Sequence, residues 1–162
     1  MDLKQRLDSI SSTLGLSTHL LIMVPIGSSF CLSPYGPKVI GIRSDLNKKE
    51  TVDHLIHEIG HAFLAEYYGS DVIEEEDFEE YFGSFEDPYY TSAWYWGFED
   101  YEEYEDDPEY ISKYAQTHPQ EDFAECFVEA WKCFKSGKRY TYGNKALNSK
   151  IKYILGCIKD VA

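Results

Sequence analysis

Apolar positions along the chain fall into helical stripes and short strand-like runs, and their order sets the expected architecture. Leu3, Leu7, Ile10 and Leu14 share one stripe and predict a helix over residues 2–14. Leu20–Pro25 and Lys38–Arg43 read as short strands, separated by turn residues at Gly27-Ser28-Ser29 and Pro34-Tyr35-Gly36-Pro37. A long helix is expected from Asn47 to Tyr68, with Asn47 and Glu50 as a capping box and Gly69 as its stop. A second runs from Pro119 to Lys135. Its first turn holds Pro119, Glu121 and Asp122, where the positive end of the helix dipole favours acids, and Gly137 follows its end. A last helix over 144–159 turns Leu147, Ile151, Ile154, Leu155 and Ile158 inward. Helix, strands, long helix, insert and two helices make an α+β fold.

The chain has 162 residues, which suits a single domain over 1–162. Fifteen Lys and Arg against 29 Asp and Glu give a net charge of −14, which excludes nucleic acid and anionic membrane as partners. The charge is concentrated. Residues 71–110 hold 17 acidic side chains and no Lys, Arg or His, whereas the rest carries 12 acidic and 15 basic groups. The same stretch holds 13 aromatic residues, too many for a solvated tail. Residues 70–110 therefore read as an insertion or lid, its aromatics packed and its carboxylates in water. A cleft wall that draws in basic peptides and a docking surface for a basic partner are the functional alternatives. No apolar signal segment follows the polar N-terminal helix, the longest apolar stretch, Leu20–Val24, is too short to span a bilayer, and the four cysteines match no disulfide or zinc-ribbon spacing. A cytoplasmic protein with reduced thiols is expected. Nothing in the sequence bears on oligomeric state.

The chemistry centres on His57-Glu58-Ile59-Gly60-His61, in the middle of the long helix. Residues four apart project from one helical face, so His57 and His61 can hold one Zn²⁺ with Glu58 beside the water on the metal. That is the metallopeptidase arrangement, with the Glu as general base. A catalytic zinc needs a third protein ligand and an open position. Glu121 and Glu125, one turn apart on the Pro119 helix, offer it: Glu121 as ligand, with Glu125 accepting a hydrogen bond from a ligand imidazole and fixing its tautomer. His118 is a rival third ligand, although its place ahead of Pro119 suits a helix cap. His54, one turn before His57, would close the site if it also bound the metal.

The run Tyr114-Ala115-Gln116-Thr117-His118-Pro119-Gln120-Glu121-Asp122-Phe123-Ala124-Glu125, taken with the His57–His61 motif, resembles the gluzincin group that includes anthrax lethal factor and the Pro-Pro endopeptidases. In that pattern a Tyr lies seven residues before the Glu that opens an E-[FD]-F-A-E segment. The resemblance implies a small zincin-like domain and a zinc endopeptidase with one Zn²⁺ per chain. It further implies His57, His61 and Glu121 as ligands, Glu58 as base, Tyr114 as oxyanion donor in preference to Tyr110, and Glu125 as the partner of a ligand histidine. It also suggests Val39, Ile40, Gly41 and Ile42 as an edge strand that pairs with the substrate main chain. Asp122 departs from the Phe usual at its position. The expected substrate is a peptide or protein, with basic residues favoured by the acidic segment. The competing class is a binding or decoy protein with structural zinc, whose acidic segment engages a basic partner.

Overall fold

The computed structural model describes residues 1–25, 29–32, 38–84, 101–139 and 141–162. Within them are five α-helices and a three-stranded sheet: α1 (Leu3–Thr13), β1 (Leu20–Val24), β2 (Phe30–Leu32), β3 (Val39–Arg43), α2 (Lys48–Tyr67), α3 (Glu75–Phe82), α4 (Pro119–Ser136) and α5 (Lys145–Val161). Short 3₁₀ turns lie at Tyr101–Glu103 and Tyr114–Thr117. The mixed α+β expectation holds at this level.

The boundaries follow local chemistry. Asn47 Oδ1 accepts the Glu50 N–H at 2.8 Å, and the Glu50 side chain reaches back to Asn47, so α2 starts at a capping box. Gly137, at φ +68°, ends α4 in the left-handed region. Asn144 caps α5 through the Leu147 N–H at 3.1 Å.

The strand order is β1-β3-β2, with β1 parallel and β2 antiparallel to β3. This corrects the expected edge strand. Val39, Ile40, Gly41 and Ile42 lie in the central strand, bound by β1 along its whole length and by β2 over Val39–Gly41. All four are buried, and the unbroken apolar run is what a strand covered on both faces requires. Among the described strands, β2 is the margin nearer α2: Ser29 Oγ lies 2.8 Å from His54 Nδ1. Gly41 is needed here, because a Cβ would fall 2.3 Å from the Phe30 ring.

The core lies between α2 and α4, with α5 and α3 closing its other sides. Leu55, Ile59 and Phe63 of α2 meet Phe123 and Phe127 of α4, while α5 contributes Ile151, Ile154 and Ile158. The Phe63 and Phe127 rings meet at a tilt of 41°, 5.3 Å between centroids. The two helices approach closely at Gly60, where a Cβ would lie 3.0 Å from Phe127 Cβ. Part of the acidic segment joins this core. Helix α3, unforeseen in the sequence, buries Phe78 and Phe82 against Phe123 and leaves Glu75, Glu76, Asp77, Glu79 and Glu80 in water. Each buried Phe contributes about 1.5–3 kcal/mol of transfer free energy.

Candidate metal centre

Three elements bring the site together. Helix α2 supplies His57, Glu58 and His61 from adjacent turns, α4 supplies Glu121 and Glu125, and the turn Tyr114–Thr117 supplies Tyr114. The glycine contact of Gly60 with Phe127 sets the spacing of α2 and α4 in the middle of the histidine motif.

His57 Nε2 lies 3.0 Å from Glu121 Oε2, and His61 Nε2 lies 3.2 Å from the same carboxylate. One donor atom from each of these residues falls within 4.8 Å of the others. Zinc holds nitrogen and oxygen donors at about 2.0–2.2 Å, which places tetrahedral ligands roughly 3.3 Å apart, so two imidazoles and one carboxylate at this spacing fit that ion. His57 turns its other nitrogen to Glu125: Nδ1–H donates to Oε2 at 3.0 Å. Glu125 Oε1 accepts the Ser112 hydroxyl at 2.9 Å.

Burial and charge oppose each other throughout. Burial would depress the proton affinity of His57, but Glu121 and Glu125 outweigh it and hold the pKa well above the ordinary value. Burial pushes the Glu121 carboxyl up, yet His61 and His57 pull it well below the usual range. Glu58 is also enclosed, and there burial wins over the two histidines, so its pKa is raised. Burial and the surrounding carboxylates raise the Tyr114 phenol, whose hydroxyl reaches Glu121. The Tyr114 and His57 rings are 6.0 Å apart.

The rival residues lie elsewhere. His118 caps α4, its Nδ1 accepting the Gln120 N–H at 3.2 Å. His54 is engaged with Ser29. The Tyr110 ring covers the Lys150 ammonium at 4.1 Å. Val39–Ile42 stay buried in the central strand of the sheet.

A cleft of about 710 Å³ opens over His57, Glu58 and Tyr114. The end of the acidic segment forms one wall, where Tyr101 stands edge-on to Tyr114 at 5.4 Å and Glu102 follows it. Ser112 and Tyr101 gave no signal in the sequence, since only the fold carries them to the site.

An α+β chain with two histidines and a glutamate converging from facing helices belongs to the metal-binding class. The match to a family model then specifies it: residues 42–136, more than half of the chain and the span from β3 to the end of α4, match the family described as "Putative zinc-binding metallo-peptidase", and the chain belongs to that family. No curated protein and no solved structure matches it significantly. Among the described residues no helix is long and apolar enough to cross a membrane.

Proposed function

We propose that the chain is an endopeptidase of gluzincin type with a zincin-like fold, in which His57, His61 and Glu121 hold one Zn²⁺. The observation that carries this reading is the convergence of those three side chains within 4.8 Å, beside a buried Glu58. Zinc bound there supplies a Lewis acid that lowers the pKa of water and polarises a carbonyl. Glu58, with its proton affinity raised by burial, takes a proton from the attacking water and passes it to the leaving amine. Tyr114 stays protonated and donates its hydroxyl to the oxyanion that develops on the scissile carbonyl. Glu125 holds His57 in the tautomer that leaves Nε2 for the metal. With β3 in the interior, the substrate main chain pairs instead with the margin of β2 that faces away from β3.

Charge favours basic substrates. Among the described residues, Glu50, Asp53, Glu102 and Glu129 line the cleft, and its Arg and Lys side chains are engaged: Arg43 with Asp45 at 2.6 Å, Lys132 with Asp53 at 3.1 Å. A negative, partly enclosed cleft raises the local concentration of cationic peptides. The structural-zinc reading needs a fourth protein ligand, and the engagement of His54 with Ser29 and of His118 with its helix end weighs against it.

The test is cleavage profiling of a diverse peptide library by the zinc-loaded protein at low and high salt. Cleavage flanked by Lys or Arg, with a preference that fades as salt screens the cleft, is the expected result. Zinc bound at one per chain with no peptide cleaved at either salt would overturn the peptidase reading.

A further inference from the structure

Ser112 lies two residues before Tyr114, and its hydroxyl is used twice. It donates to Glu125 Oε1 at 2.9 Å and accepts the Ala115 backbone N–H at 3.1 Å. A hydroxyl has a single proton and an ionised carboxylate only accepts, so the direction of both bonds is fixed. Glu125 turns its second oxygen to His57 Nδ1 at 3.0 Å.

We infer that Ser112 is a positioning residue that locks Glu125, and through it His57, to the turn carrying Tyr114. Glu125 needs such a lock because it faces the cleft, with its side chain 26% exposed. Water there competes for both carboxylate oxygens, and rotation would let either oxygen leave the imidazole. The Ser112 bond occupies Oε1 and commits Oε2 to His57. The second bond anchors the same hydroxyl to the backbone of the Tyr114–Thr117 turn. One side chain thus sets the orientation of His57 relative to Tyr114, two groups 57 residues apart in sequence.

The inference rests on the zinc reading above, and its test separates the two. Zinc affinity of the metal-free protein, measured by competition with a chromophoric chelator, is compared for wild type, Ser112→Ala, Ser112→Thr, Glu125→Ala and the double Ala variant. Loss of a partner of a ligand histidine weakens metal binding by about 10- to 100-fold, which is the expectation for Glu125→Ala. Ser112→Ala, acting one bond further out, is expected to weaken it by about 3- to 10-fold, and to cost nothing more in the Glu125→Ala background. Ser112→Thr, which keeps the hydroxyl, is expected to restore wild-type affinity within about 2-fold. Should Ser112→Ala fail to fold, Ser112→Cys, a weak donor of similar size, carries the same comparison. Wild-type affinity in Ser112→Ala, or the same loss with and without Glu125, overturns the inference. A wild type that binds no zinc overturns the metal reading itself, and the lock with it.

Discussion

Asp122 Oδ2 and Lys150 Nζ meet at 2.7 Å in the interior, with side chains 2% and 8% exposed, and this pair joins the first turn of α4 to α5. Asp122 is the residue that departs from the gluzincin-like pattern, and Lys150 accounts for it: a carboxylate in an apolar position is matched by a cation from the last helix. Lys150 also donates to the Glu109 carbonyl at 3.0 Å, so the same ammonium fastens the end of the acidic segment. Removing one partner of a buried pair leaves an uncompensated charge. Lys150→Met is therefore expected to destabilise the protein by about 3–5 kcal/mol, and pairing it with Asp122→Leu to recover most of that loss. Urea unfolding of both variants checks it.

The same pair sets a pH dependence. Burial outweighs Lys150 and raises the Asp122 pKa from 3.8 to about 6. The folded state then keeps this proton to higher pH than the unfolded chain does. Its stabilising contribution is complete below about pH 4 and is lost as pH rises through 6, an effect on the order of 3 kcal/mol. Asp122→Asn cannot titrate. The difference in unfolding free energy between wild type and Asp122→Asn should move against the wild type between pH 4 and 6.5 and stay level above it. A difference that is flat over the whole range would refute the raised pKa.

Helix α3 makes residues 75–82 of the acidic segment part of the core. Phe78 is fully buried and touches Tyr68, Phe82 and Phe123. Phe78→Ala is expected to cost about 3–5 kcal/mol, whereas Glu76→Gln on the solvated side of the same helix should stay within about 0.5 kcal/mol. Thermal denaturation of the pair distinguishes a packed helix from a loosely attached one.

Gly60 fixes the distance between the helices that carry the candidate ligands. Ala is the better helix former by about 1 kcal/mol, yet its methyl would crowd Phe127 Cβ and ring at 3.0–3.1 Å. Overpacking of this kind costs about 1–3 kcal/mol, so Gly60→Ala should lower stability despite its propensity. It should weaken zinc binding as well, because His57 and His61 move relative to Glu121. Calorimetric zinc titration alongside urea unfolding reads both effects.

What the sequence disclosed was what local rules govern. The spacing of His57 and His61, the Asn47–Glu50 cap and the Gly137 stop depend on residues one helical turn apart, and each is found in place. Glu121 and Glu125 could be proposed for the same reason. Strand order has no local signature, so the central place of Val39–Ile42 was missed, although the lack of polar alternation in that run pointed to burial on both faces. Strand β2 is three residues long between two turn-rich stretches and left no period to read. Helix α3 carried a signal, Phe78 and Phe82 four apart, that the surrounding acids obscured. Lys150 and Ser112 were silent: a lone lysine on an apolar helix face and a serine in a loop acquire their partners only through tertiary packing.

The most direct test of the central claim measures bound zinc and peptide turnover together in wild type, Glu58→Gln and Glu121→Ala. Glu58→Gln is expected to hold one zinc per chain with turnover reduced at least about 100-fold, since the ligands remain and the base is gone. Glu121→Ala is expected to lose both metal and turnover. Wild-type turnover by Glu58→Gln, or full zinc occupancy and activity in Glu121→Ala, would contradict it.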